Sequence, residues 1–295
     1  MNNILLDLSG KIEPPKIETL YTIKNVADSL DIPFFIVGAT ARDLILEHCY
    51  SIKSPRRTLD IDLGVKVANW KHFKKLTDAL LSTGRFVTDS KRQMHRFISR
   101  DIIFDIVPFG PISDKGKKIS WPPEHEIIMS VLAFQEAYEY AVTVRLSTNP
   151  ELDVRLPTLS GLTLMKLISW NDNHLERHSK DAKDLLFIMQ KYEEAGNRDR
   201  LYEQELSLLE EEGFDTRLAG IRLLGRDMAR IAEKDTIEAV KKILNNETAE
   251  NSQYRLISDM IRGGLMSDGK FDEILQQLGK LRQGVGEGGK VLWLR

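Results

Sequence analysis

The chain has 295 residues, 42% of them hydrophobic and 29% charged, and a formal net charge of −2. That length allows two domains with a substantial core, and the near-zero charge excludes a globally basic nucleic-acid binder, so any nucleic-acid contact must rest on local basic patches. The single cysteine, Cys49, excludes an internal disulfide and a cysteine-rich zinc site, and the six scattered histidines show no ligand spacing.

The N-terminus, Met1-Asn2-Asn3-Ile4-Leu5-Leu6-Asp7, has no basic region and no long apolar core. No apolar run is long enough to span a membrane, so the expectation is a cytoplasmic protein with no membrane partner. Pro14-Pro15 ends a short N-terminal arm. Ile17, Leu20, Ile23, Val26, Ala27 and Leu30 then recur at helical spacing over 16–30. Pro33 closes that helix, 34–37 reads as a buried strand, and a helix over 39–48 comes directly after it. Cys49 is next, with no motif around it, and reads as a small buried or half-buried thiol and not a nucleophile. Ser51-Ile52-Lys53-Ser54-Pro55-Arg56-Arg57 is a basic loop. A strand over 58–65 leads to a helix over 70–82, capped by Asn69 and stopped by Gly84. Strand-like pieces lie at 85–88, 94–99 and 102–107. The stretch 110–126, rich in Gly, Pro, Ser and Lys, reads as a loop. Two further strand-like runs, near 140–147 and 152–156, lead to Pro157. Beyond it the periodicity is helical, near 159–173, 179–192, 215–232, 235–245, 251–264 and 270–282. The expected fold is α+β, with a mixed-sheet domain over 1–157 and a helical domain over 158–295.

Three features of the first half carry chemistry. Gly38-Ala39-Thr40 sits between a strand and a helix, where small residues let backbone amides and the Thr40 hydroxyl approach a phosphate. Taken alone, the same turn serves as an ordinary strand-to-helix connection. Asp60 and Asp62 stand one residue apart in an apolar strand, so both point to one face while Leu59, Ile61 and Leu63 take the other. Two adjacent carboxylates on a half-buried strand are costly without a cation, which points to a divalent metal. Asp105 lies among Phe104, Ile106 and Val107 and is expensive to bury unpaired. It reads as a third carboxylate for a two-metal site; the alternatives are an exposed edge strand or a salt bridge to Arg92, Arg96 or Arg100.

Gly38-Ala39-Thr40-Ala41-Arg42-Asp43-Leu44 and, downstream, Asp60-Ile61-Asp62-Leu63 together resemble the polymerase-β-type nucleotidyltransferase superfamily. Within it the chain is most similar to the AbiEii/AbiGii-like toxin nucleotidyltransferases, and more distantly to the CCA-adding enzymes; the likeness spans roughly 33 to 192. A later segment favours the toxin branch: Lys166 in an apolar helix, then Arg177, then Lys180-Asp181 and Asp184 keep that family's order. The resemblance implies that Lys166 meets a nucleotide triphosphate and that Asp181 shapes the site. For Lys180, Lys183 and Asp184 a solvated helix face explains the charges equally well. Two departures stand out. Ala39 occupies a position where Gly or Ser is common, and the spacer from Gly38 to Asp60 is long and holds the basic loop, which suits either RNA phosphates or solvent.

The expected activity is that of a Mg²⁺-dependent enzyme that moves a nucleoside monophosphate from an NTP to an acceptor hydroxyl. Asp60, Asp62 and Asp105 would hold two Mg²⁺ ions, and Gly38, Ala39, Thr40, Arg42, Lys166, Lys180 and Asp181 would bind substrate. By resemblance, the role is that of a toxin acting on tRNA or another host component and restrained by an antitoxin. The competing expectations are a small-molecule, antibiotic-type or protein-directed transferase, and a catalytically silent nucleotide-binding module. Two patterns are set aside. Gly284-Val285-Gly286-Glu287-Gly288-Gly289 spells a dinucleotide fingerprint but comes after a polar helix and has no strand or crossover beyond it, so a flexible tail is expected. Asp227-Met228-Ala229-Arg230 reads as helix surface.

Overall fold

The computed structural model describes residues 4–56, 58, 60–88, 95–172, 178–263 and 268–288. The chain divides into two units, Met1–Thr158 and Leu159–Arg295. The first is α+β and the second is helical.

The first unit opens with β1 (Ile4–Asp7) and α1 (Pro14–Ser29). Both prolines sit in the first turn of α1, where a missing N–H costs nothing. Its stripe of Ile17, Leu20, Ile23 and Ala27 is buried. β2 (Phe34–Val37) runs straight into α2 (Gly38–Asp43), which continues as a π-helical turn over Leu44–Cys49. Next come β3 (Asp60–Lys66), α3 (Trp70–Ser82), β4 (Val87–Thr88), β5 (Arg96–Ser99) and β6 (Ile102–Phe109). The Asn69 side chain accepts from the His72 amide at 2.9 Å and caps α3. These strands form one mixed sheet in the order β2-β3-β6-β5-β4. Its central pair, β3 and β6, is parallel, and its other neighbours are antiparallel. A parallel pair needs a long crossover, and here the chain between β3 and β6 contains α3, β4 and β5.

The remainder of this unit is β7 (Lys118–Ser120), β8 (Ile128–Ser130), α4 (Phe134–Glu139), β9 (Val142–Thr148) and β10 (Glu151–Leu156). Two sequence expectations are corrected here. The N-terminal arm contains β1, which pairs with β9 in a three-stranded sheet of order β1-β9-β10. The stretch 110–126 contains β7, which pairs with β8. Ile119 and Trp121 are buried there, and two short strands around Pro122-Pro123 leave too little alternation to read.

The helical unit holds α5 (Leu159–Asp172), α6 (His178–Lys191), α7 (Arg198–Glu203), α8 (Leu206–Glu211), α9 (Thr216–Ile231), α10 (Lys234–Glu247), α11 (Arg255–Ile261) and α12 (Asp268–Gly288). An irregular turn kinked at Gly196 (φ +80°) precedes α7. Two more expectations change. The tail from Gly284 is helical through Gly288, and Gly284 and Gly288 face α9: a Cβ on Gly284 would lie 1.9 Å from the Arg222 carbonyl oxygen. Asp227 is not on the surface. It is buried and accepts hydrogen bonds from the Tyr192 hydroxyl, Arg200 and Arg230.

Candidate active site

Strand register assembles the carboxylates. Across β3 and β6, Asp62 is the direct partner of Asp105, and across β6 and β5, Asp105 is the partner of Arg96. Val37, the last residue of β2, faces Asp62 from the other side. One row across four strands therefore reads Val37, Asp62, Asp105, Arg96. Partnered residues share a face, and Asp60 shares it too, two positions before Asp62. The opposite face carries buried Ile61, Leu63, Phe104 and Ile106, which fix the register, because a slip of one residue would bury the acids.

Gly38 closes one end of the row. Its φ is +68°, in the left-handed region, and a Cβ there would stand 2.0 Å from Asp62 Oδ2. The turn thus lies directly against one of the acids. Thr40 does not hold its hydroxyl out for a phosphate; it donates to the Asp60 carbonyl oxygen at 2.6 Å and ties α2 to β3. Ala39 is buried.

Asp105 is paired, as one of the sequence alternatives has it, and the partner is Arg96. Nε donates to Oδ1 at 2.7 Å and Nη2 to Oδ2 at 2.5 Å. The same Nη2 lies 4.0 Å from Asp60 Oδ2. The Arg96 and Asp105 side chains are only 13% and 15% exposed, whereas that of Asp60 is 44% exposed. Of the other two arginines, Arg100 pairs with Glu18 at 3.1 Å, and Arg92 lies outside the described residues. Sequence reasoning does not single out Arg96. The available signal is its parity with Ile98 on a short strand opposite Asp105.

Four expected substrate-binding residues stand differently. Arg42 is corrected: its side chain is fully enclosed, with Nε and Nη2 donating to Asp43 Oδ1 at 2.8 and 2.6 Å and Nη2 reaching the Arg56 carbonyl at 3.4 Å. An enclosed guanidinium already forked onto a neighbour anchors the basic loop and is not presented to a ligand. In the helical unit, the Lys166 ammonium lies 2.6 Å from Asp181 and 3.0 Å from Asp184, and Ser169 donates to Asp181 at 2.9 Å. Burial alone would pull the Lys166 pKa down, but the two carboxylates outweigh it and hold it above the ordinary lysine value. Asp181 is therefore the partner of Lys166. Lys180 is exposed on α6, and Arg177 lies outside the described residues.

The donor set can be tested against the implied metal. Carboxylate oxygens on one rigid face, with a glycine turn against them, are the chemistry that a hard divalent ion takes. Both Asp105 oxygens are engaged by Arg96, and among the described residues no three acidic, histidine or cysteine side chains stand together as a ready metal cluster. The residues fit Mg²⁺ in kind, as oxygen donors on one face of the sheet.

A mixed sheet with an Asp-x-Asp strand, a third acid in register and a glycine turn is the arrangement on which the resemblance to nucleotidyltransferases rests. The comparison with protein families specifies which one. Residues 20–277 match the nucleotidyl transferase AbiEii toxin of type IV toxin–antitoxin systems, and the chain belongs to that family. Among curated proteins no relative matches. Solved structures give loose likenesses only. The antibiotic-resistance factor ANT(2'')-Ia, in complex with adenylyl-2''-tobramycin, is 16% identical over 70% of this chain and 96% of its own, with a TM-score of 0.35. The Thermotoga maritima CCA-adding enzyme bound to tRNA is 11% identical over 96% of this chain and 83% of its own, with a TM-score of 0.27. No helix among the described residues is long and apolar enough to cross a membrane.

Proposed function

We propose that this nucleotidyltransferase moves a nucleoside monophosphate from an NTP to a hydroxyl of tRNA, in the cytoplasm, as a toxin whose action an antitoxin restrains. The observation that supports it best is the register that sets Asp62 beside Asp105, with Asp60 on the same face and the Gly38 turn against Asp62. Two Mg²⁺ ions, when bound, would neutralise the triphosphate and the charge that develops during in-line displacement. Asp60 and Asp62 would hold them, and Asp105 would complete the second site and take the proton from the acceptor hydroxyl. The Gly38–Thr40 turn would sit against the phosphates through its backbone. The bond formed joins the acceptor oxygen to the α-phosphorus, and the bond broken releases pyrophosphate. Catalysis of this kind is mostly positioning and charge neutralisation. Lys166 and Asp181 are given no part in it, because they neutralise each other. The toxin family supports the toxin and antitoxin roles.

The test is incubation of the purified chain with Mg²⁺, each α-labelled NTP in turn and total tRNA, beside Asp60→Asn. Label should enter tRNA with the wild type, and Asp60→Asn should reduce incorporation at least a hundredfold while circular dichroism stays unchanged. Label on protein instead of tRNA would replace the RNA acceptor with a protein one. Equal labelling by Asp60→Asn would overturn the carboxylate assignment.

A further inference from the structure

We propose that Arg96 is the resident counter-ion of this site, holding Asp105 until a second divalent cation displaces it, so that loading exchanges a guanidinium for a metal. The inference rests on the reading of Asp60, Asp62 and Asp105 as metal-holding carboxylates.

Charge requires a cation here. Three carboxylates on one sheet face repel one another, and a partly buried acid without a partner is costly. Arg96 meets that need by engaging both oxygens of Asp105 and standing 4.0 Å from Asp60. It lies between two of the three acids. A fork of two charge-assisted hydrogen bonds is a strong hold, yet it supplies one positive charge where Mg²⁺ supplies two. The guanidinium and the ion compete for the same oxygens, so the apparent affinity for that ion falls by the fraction of time Asp105 is released.

The position of Arg96 suits release. It is the first residue of β5, next to the turn at His95. Its long side chain can rotate away while the backbone partner of Asp105 stays in register. The acid would thus remain oriented in both states. A triphosphate arriving with its own divalent ion would bring both the competitor for Asp105 and a new anion for the freed guanidinium.

The test uses Mn²⁺ as the probe, without nucleotide, on the full chain. Binding would be measured by electron paramagnetic resonance of free Mn²⁺, and thermal unfolding would be recorded with and without the ion. The wild type should bind one Mn²⁺ and a second at least tenfold more weakly. Arg96→Gln should tighten the second event at least tenfold. Its melting temperature should fall in metal-free buffer and recover with Mn²⁺ more than that of the wild type does. Arg96→Lys, which keeps the charge but loses the fork, should show a smaller gain in the same direction, and it carries the test if Arg96→Gln fails to fold. Adding Asp105→Asn should erase the gain. Unchanged or weaker Mn²⁺ binding in both Arg96 variants, with binding still lost in Asp62→Asn, would overturn the exchange and leave the metal assignment standing. If Asp62→Asn removed no Mn²⁺ binding from any of these proteins, the metal site itself would be wrong.

Discussion

Gly38 has two separate reasons to lack a side chain. Its backbone is left-handed, which costs other L-residues about 1–2 kcal/mol. A Cβ would also occupy the space of Asp62 Oδ2. Gly38→Ala should therefore destabilise the chain by about 1–2 kcal/mol and, by moving Asp62 about an ångström, slow nucleotidyl transfer by roughly a hundredfold. Urea unfolding and initial rates of label incorporation would check both; full activity would mean that the turn does not set Asp62. Asp60, Asp62 and Asp105 are legible in the sequence because acids break the apolar pattern of their strands. Arg96 cannot be separated there from Arg92 and Arg100, because choosing among them requires cross-strand register, which no local pattern records. Arg42 is misleading because its motif suggests a substrate-binding residue, whereas its guanidinium closes on Asp43 beside it. Lys166 stands out in an apolar helix, but nothing local shows that Asp181 and Asp184 converge on its ammonium.

At the scale of elements, the sharpest difference between sequence pattern and fold is the glycine-rich end of α12. Glycine is a poor helix former, so the run looks flexible in isolation. In the folded chain Gly225, Gly284 and Gly288 let α9 and α12 approach until backbone meets backbone. Gly284→Ala should force the pair apart and cost at least about 1–3 kcal/mol, the usual penalty for overpacking. Gly279 and Gly286 have open space at the Cβ position. Alanine at either should be neutral or stabilise the helix by up to about 1 kcal/mol. Urea midpoints read by helical circular dichroism would separate the two classes, and equal effects at Gly284 and Gly286 would refute the close-approach argument. The long amphipathic helices are legible from their stripes. The short helices over 198–211 are not, because six-residue pieces hold too few turns to show a period.

At the scale of the whole molecule, ion pairs tie distant parts of the helical unit together. Arg222 reaches Glu211, Glu212 and Glu287, and Arg226 reaches Glu205 and Glu287. Burial pushes the Glu287 pKa up, but hydrogen bonds from the two arginines outweigh it and hold the carboxyl below its ordinary value. A lowered folded pKa contributes stability above the unfolded value, and that contribution is lost as pH falls through the folded one. The chain should therefore lose stability on acidification below the ordinary glutamate range. Glu287→Gln should be less stable than wild type at pH 7 and converge with it in acid, as urea midpoints across pH would show; a constant difference would remove Glu287 from the account.

The parallel pairing of β3 with β6 also governs when the row of acids can form. Asp60 and Asp62 leave the ribosome early, but the strand that brings Asp105 beside them emerges only after α3, β4 and β5 have been made. Closing so long a crossover is a late event in folding. A nascent or truncated chain that ends before β6 carries the Asp pair with no neighbouring strand to complete the row. On the reading proposed above, a chain cut before Ile102 would therefore be inactive however well its first half folded.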